Sequence, residues 1–325
     1  MNTYSKRTTA LLPMLLGCAR LALAQDPATT VVATNFKDTI TVKRDTTYWQ
    51  KSVTGGLNYN QASFSNWVGG GVNSLAIGGV LAARALYQKG LISWDNTADL
   101  QLGYVTQSGT QRKAADQIML ISVVGRKISP KWDVFGSLTF NTFFAPGYRY
   151  TNLPATQTEF KVSGFFSPAQ LAFAWGLAYK PNAEFALRIS PFSPRFTFLA
   201  DDAVRFRLGT DGKTIIPDRT AKTFGVDGGK SVRTEWLALQ IQAVWDKKLT
   251  ENISLNARYQ LYANYAALDN INHRIDLLLT AKINRFLSTT FGFIGLYNRD
   301  FFDGFQIQQT LGIGLIYNAS TFRKK

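Results

Sequence analysis

The chain is poor in the side chains that most chemistry uses: among 325 residues there is one cysteine, Cys18, and one histidine, His273. A single thiol excludes a disulfide framework, and one imidazole without thiols excludes the usual Cys/His metal sets. Past the N-terminal segment there is no apolar run of about 18 residues, so no membrane-crossing helix is expected. Three successive glycines, Gly69 to Gly71, only approximate G-x-G-x-x-G with Ser74, and the G-K-[ST] of a phosphate loop is missing. Acids are also scarce: 36 Lys and Arg against 21 Asp and Glu give a formal charge of +15. No basic helix or nucleic-acid motif accompanies that charge, so nucleic acid is not an expected partner.

What is present begins with a leader pattern. Lys6 and Arg7 precede a mostly apolar Ala10–Leu23, and Ala22-Leu23-Ala24 gives the small-x-small signature ahead of Gln25. This reads as a signal peptide over residues 1–24. Leu15-Leu16-Gly17-Cys18 loosely resembles a lipoprotein box, but the apolar segment continues past Cys18. Cleavage after Ala24 removes Lys6, Arg7, Arg20 and the only cysteine, lowering +15 to +12. Residues 25–47 are expected as a periplasmic N-terminal segment.

From Tyr48 onward the sequence alternates with period two. In 253–265 the odd positions are Ile, Leu, Ala, Tyr, Leu, Ala and Tyr, and the even ones are mostly polar. A helix would spread these apolar groups around its circumference, whereas a strand gathers them on one face. About twelve such runs occur, most of ten residues or more, against about five or six in ordinary globular strands. About nine to eleven tilted residues cross a bilayer.

Alternation alone also fits a soluble sandwich. Strand length, aromatics at strand ends (Trp49, Tyr59, Trp94, Tyr104, Trp132, Phe144, Tyr179, Trp245, Tyr265, Tyr297, Tyr317) and alternating short and long connections favour the membrane. Longer connections are expected near 60–73, 106–117, 145–170, 191–233, 266–273 and 298–304, with Ser63–Asn73 a glycine-bearing outer loop. The expected fold is all-β: a transmembrane antiparallel up-and-down barrel over 48–318 with both termini inside. About twelve strands are expected, or fourteen if 191–233 adds a hairpin. A short basic tail, 319–325, follows the final strand. The expected location is the bacterial outer membrane.

"NQASFSNWVGGGVNSLA", "WDNTADLQLGY", "RKAADQIMLIS", "FFAPGYRY", "FFSPAQLAFAWGLAYKP" and "LRISPFSPRFTF" occur in this order. Together they resemble an outer-membrane β-barrel family of Bacteroidota-type bacteria known chiefly as a domain of unknown function. The resemblance covers about residues 48–318 and implies fold and compartment. It implies no catalytic residue and no ligand.

Candidate chemistry is sparse. His273 sits at the outer mouth of a strand, the height at which outer-membrane lipid hydrolases hold a histidine-activated serine, yet "NINHRID" has no serine; Ser65 or Ser163 would have to approach from another loop. A rim histidine is the blander reading, and no enzyme activity is expected. Asp201-Asp202 and Asp211-Gly212-Lys213 read as turns rather than calcium loops. No metal and no cofactor are expected.

The informative charges are those on inward faces. By parity these are Arg84, Asp95, Asp99, Asp133, Lys180, Arg188, Arg258, Arg274, Asp276 and Lys282. Each would cost about 2–4 kcal/mol facing lipid at the midplane, so they are expected to line the lumen. They could border a narrow or loop-gated passage for small solutes, mildly favouring anions, or pair and fill a closed barrel. In the second case the long outer loops would make the chain a scaffold or surface-assembly component. Expected partners are outer-membrane lipids and lipopolysaccharide, the barrel assembly machinery during insertion, and a surface or periplasmic protein.

Overall fold

The structure is a computed structural model, and residues 48–62, 73–107, 109–284, 287–299 and 302–320 are described. The leader, the glycine triplet with most of its loop, and the last five residues lie outside them.

Long strands follow the alternating runs: β1 (Trp49–Ala62), β2 (Ser74–Lys89), β3 (Ile92–Gln107), β4 (Thr110–Lys127) and β5 (Trp132–Thr142). An excursion carries β6 (Gly147–Arg149) and β7 (Phe160–Ser163). Then come β8 (Ala169–Tyr179), β9 (Phe185–Phe192) and β10 (Arg195–Phe198). A second excursion holds one 3-10 turn (Asp202–Val204), β11 (Phe206–Leu208) and β12 (Ile215–Pro217). The chain returns through β13 (Val232–Glu235), β14 (Ala238–Lys248), β15 (Ile253–Asn264), β16 (Asn272–Lys282), β17 (Leu287–Asn298) and β18 (Phe302–Ser320).

Antiparallel pairing closes the wall in the order β1-β2-β3-β4-β5-β8-β9-β14-β15-β16-β17-β18, with β18 returning to β1 and β8 to β9. That is twelve strands. β10 and β13 bring the sheet to fourteen members without widening it. Ser190 opposes Gln240, and five residues further on Arg195 opposes Glu235 in the same register. β9–β10 and β13–β14 are therefore one hairpin, interrupted and prolonged beyond the rim. The 191–233 hairpin extends the wall instead of adding to it.

The interruption has a local cause. Pro191 and Pro194 lack N–H groups, so the ladder cannot run through "SPFSP". The stranded carbonyls find other donors, because an unpaired carbonyl in a membrane wall is costly. Ser193 Oγ donates to Ser190 O at 3.4 Å, Tyr265 hydroxyl to Pro191 O at 2.9 Å, Tyr262 hydroxyl to Ser193 O at 3.3 Å, and Phe173 N–H to Pro194 O at 2.9 Å. On β8 the register slips between Trp175 and Leu177 at the same height. There Gly176 admits a close approach: a Cβ would lie 1.9 Å from Ile189 O.

Two expectations about connections change. β3 runs on to Gln107 and β4 starts at Thr110, so 106–117 is almost all strand and not a long loop, with Gly109 at φ 81° between the two strands. Likewise β17 and β18 leave only residues 299–301 between them.

The apolar residues face outward. Leu57 is 71% exposed and Leu81 42%, with Val124, Val134, Leu177, Ile189 and Phe291 also exposed. Rings ring one rim: Trp49, Tyr87 and Trp94 lie 5.3 and 5.7 Å apart, and Trp132 meets Tyr179 at 4.9 Å. From Trp49 to Tyr59, or Trp94 to Tyr104, about ten residues rise about 33 Å, or about 25 Å of height at 40° tilt. That is the height of the apolar band of a membrane barrel. Among the described residues no helix is long and apolar enough to cross a membrane.

Candidate functional site

Register fixes what faces inward. Opposed residues share a face, and Leu81–Leu100 and Tyr87–Trp94 belong to the outer one, so Arg84, Asp95 and Asp99 point in. Exposed Val134 and Leu177 oppose each other, which turns Asp133 and Ala178 inward, and Arg188 with Ala178. Trp245–Ala257 and Leu277 face out, leaving Arg258 opposite Asp276 inside, with Arg274 and Lys282 on the same face of β16. Lys180 stands just beyond the end of β8.

Most of these charges cancel in pairs. Arg84 forks onto Asp95 at 2.9 and 2.6 Å, Lys180 meets Asp133 at 2.6 Å, and Arg274 holds both Asp276 oxygens at 2.7 to 3.0 Å. Three charges form no ion pair among the described residues: Asp99, Arg188 and Arg258. Arg188 donates to the neutral Gln242 amide at 3.0 Å and lies over the buried Phe135 ring at 5.8 Å. Arg258 keeps a buried Nε without a hydrogen-bond partner. Arg258 is within electrostatic reach of Asp99 on β3 and of Arg188 on β9. Three walls thus contribute to one charged zone. Asp246, inward by its place next to Trp245, belongs to the same interior and accepts from Asn256; counting parity through the end of β14 would have found it.

At the outer mouth, sequence reasoning missed a second cluster. Arg195 pairs with Glu235 at 2.6 Å and lies 3.8 Å over the Tyr262 ring, and Glu235 also accepts from Arg233 and Asn264 at 3.1 Å each. On the outer face, Asp116 breaks the apolar parity of β4, a signal visible in the sequence. It accepts from Phe144 N–H at 2.7 Å, Ala145 N–H at 2.9 Å and Lys113 at 2.8 Å, pinning the 143–168 connection to the rim.

The two long outer connections pack together. Ile215 N–H donates to Asn152 O at 2.7 Å, Phe160 meets Phe206 edge-on at 5.9 Å, and Lys161 pairs with Asp201 at 2.6 Å. Residues 199–231 enclose a core of Leu199, Val204, Phe224 and Val226. Arg205, 0% exposed, holds that segment through Asp202 and the carbonyls of Ala221, Val226 and Lys230.

The aspartates of the cap serve its turns. Asp201 caps Ala203 N–H at 2.8 Å, and the Lys161 ammonium leads in holding its carboxyl below the usual range. Asp211 accepts from the Thr214 hydroxyl and from the N–H groups of Thr214 and Lys213, which lower its pKa to about 2. His273 faces outward with Ile275 and opposes Tyr297. Its Nδ1 meets Tyr259 hydroxyl at 2.9 Å, so a tyrosine occupies the place a nucleophilic serine would need. Ser163 is buried in the 143–168 connection, and Ser65 lies outside the described residues.

Residues 59–148 match the model of a family described as "Protein of unknown function (DUF3078)". The match meets the resemblance carried by the motifs as far as "FFAPGY"; those from Phe165 onward lie beyond it. A comparison with curated proteins gives no match. Among solved structures, the translocator domain of the autotransporter NalP from Neisseria meningitidis is similar at 11% identity and TM-score 0.36, covering 83% of this chain and 86% of that one. An outer-membrane channel from Pseudomonas putida F1 is similar at 8% identity and TM-score 0.38, covering 84% and 96%. The NanC porin is similar at 9% identity and TM-score 0.35, covering 83% and 98%.

Proposed function

We propose that the chain is an outer-membrane barrel that forms a narrow passage for small solutes. The leader pattern and the outward apolar belt support the location. One observation carries the passage. The Arg84–Asp95 pair, on the inner face just inside the rim marked by Tyr87 and Trp94, keeps 40% and 25% of its side-chain surface exposed. A closed barrel with a dry, filled interior would bury such a pair, because desolvating two charges costs several kcal/mol per ion. A water-lined lumen leaves it solvated.

The test is reconstitution of the folded mature barrel in a planar bilayer. Discrete ion conductance is expected; a silent bilayer, with folding verified by heat-modifiable gel migration, would overturn the passage.

A second reading, a scaffold acting through its outer surface, draws on the cap, whose own small core gives it a defined shape. Crosslinking on intact cells that captures no partner through residues 199–231 would argue against it. A lipid hydrolase would require activity abolished by His273→Ala, and the Tyr259 contact of that imidazole favours a girdle role instead.

A further inference from the structure

We propose that the lipid-facing wall of β1–β4, at the rim of the short turns, is a binding site for one anionic glycerophospholipid, with Lys51, Lys89 and Arg126 around its phosphate and Asn96 beside its ester groups. The proposal rests on the reading of the chain as a membrane barrel and names a lipid that the barrel selects.

Register carries the argument. Opposed residues share a face, and on these strands the outward face is that of exposed Val53, Leu81 and Val124. Its rim row is Lys89, Ile92 and Arg126. The next row is the stack of Trp49, Tyr87 and Trp94. The third is Lys51, Ala85, Asn96 and Ser122. Three bases stand in these rows and no carboxylate. Lys89 and Arg126 form no ion pair among the described residues. The third row is the anomaly. A lysine, an amide and a hydroxyl face hydrocarbon two residues further in than the aromatic rings, about 5 Å deeper on a tilted strand. Polar groups at that depth are costly unless a partner reaches them.

Geometry narrows the chemistry further. Lys51 is exposed, and its stem can run back along the wall to the aromatic row. Lys89 approaches that row from the rim, its Nζ 4.9 Å from the centroid of the Tyr48 ring. Arg126 stands two strand spacings from Lys89, about 10 Å, across exposed Ile92. The bases thus bracket the height at which aromatic rings mark the headgroups. The neutral groups are ordered as well. Trp94 Nε1–H donates to Ser122 Oγ at 2.8 Å, and the Ser122 hydroxyl donates to Asn96 Oδ1 at 2.8 Å. With its oxygen engaged, Asn96 has its amide N–H groups left for a ligand on the lipid side. A glycerophospholipid presents the matching order, a phosphate at headgroup level and ester carbonyls, which only accept, just deeper. A zwitterionic headgroup would bring its own cation to three bases, so a net negative one is favoured. On the far wall, Lys247 of β14 also faces out and lies 5.5 Å from the Trp245 ring, but its row continues with Leu255 and Leu279 and holds no second base.

The experiment is native mass spectrometry of the mature barrel released from liposomes of equimolar phosphatidylglycerol and phosphatidylcholine, with folding checked by heat-modifiable gel migration and conductance measured on the same preparations. Retention of one phosphatidylglycerol in preference to phosphatidylcholine is expected. Lys89→Gln and Arg126→Gln should each lower that preference about fivefold, the scale of one base at an anionic surface. Asn96→Leu should lower retention of both lipids and leave the preference, because both carry the esters. Lys247→Gln is the control and should change little. Equal retention of the two lipids would overturn the site. So would a loss in Lys247→Gln as large as in Lys89→Gln, since charge spread around the rim would then suffice. Failure to enter liposomes would remove the membrane reading and the site with it. Conductance without lipid preference would remove the site alone, and preference in a silent barrel would remove the passage alone.

Discussion

Replacing Arg205 by methionine tests whether the outer cap is a structure in its own right. The side chain is 0% exposed and donates to three buried or half-buried carbonyls and to Asp202 at 2.5 Å. Methionine keeps much of the apolar stem and removes every donor. Each carbonyl left unanswered costs about 1–3 kcal/mol, and breaking a buried charged hub costs about 3–5 kcal/mol altogether, because the losses are not additive. The segment it holds has a core of only four residues, so it has little stability in reserve. A loss of about 3 kcal/mol raises the population of the open cap about a hundredfold, and cleavage of the open form rises with it. The assay is limited chymotrypsin digestion of barrels in liposomes, with fragments mapped by mass spectrometry. Cleavage should concentrate at 199–231 while the barrel keeps its heat-modifiable migration. Arg207→Met is the control: that side chain is 58% exposed and reaches Asp218 only at 3.6 Å, so it should change little. Equal digestion of wild type and Arg205→Met, or collapse of the barrel together with the cap, would refute the reasoning.

Other outcomes follow from neighbouring positions. Leu81→Arg puts a charge toward lipid and should cost about 2–4 kcal/mol in folding into liposomes, whereas Ala82→Arg, one residue on and opposite Asp99, should fold nearly as wild type; equal penalties would mean the faces are misassigned. Gly176→Ala should abolish the folded gel band, since its Cβ meets the Ile189 backbone and not a side chain that can move aside. In the cap, the depressed Asp211 pKa of about 2 means its bonds to Thr214 and Lys213 are fully present above the ordinary carboxylate range near pH 4 and are lost as pH falls toward 2. Hydrogen exchange of those two amides should show protection falling across that window in wild type and no such step in Asp211→Asn.

How much was legible depends on the range of the interaction. Alternation in "ISLNARYQLYANY" is a statement about consecutive Cβ directions, so it identified β15 and its outward face without any knowledge of the partner strand. The same parity separates Arg258 from its apolar neighbours, and it would have turned His273 outward, one residue before the inward Arg274, had it been carried to the strand end. The two prolines of "SPFSP" announced a break in a strand but not its consequence.

The amino-acid order alone determined that the chain makes long two-faced strands and which residues share each face, because the side-chain direction reverses at every residue of an extended backbone. Only the closed wall decided which strand meets which and how far the hairpin of β9 and β14 extends beyond the rim. It also decided that Arg188 and Arg258 are left without a carboxylate while Arg84 and Arg274 have one. Ion pairing across strands depends on register, and register is settled where every ladder closes at once.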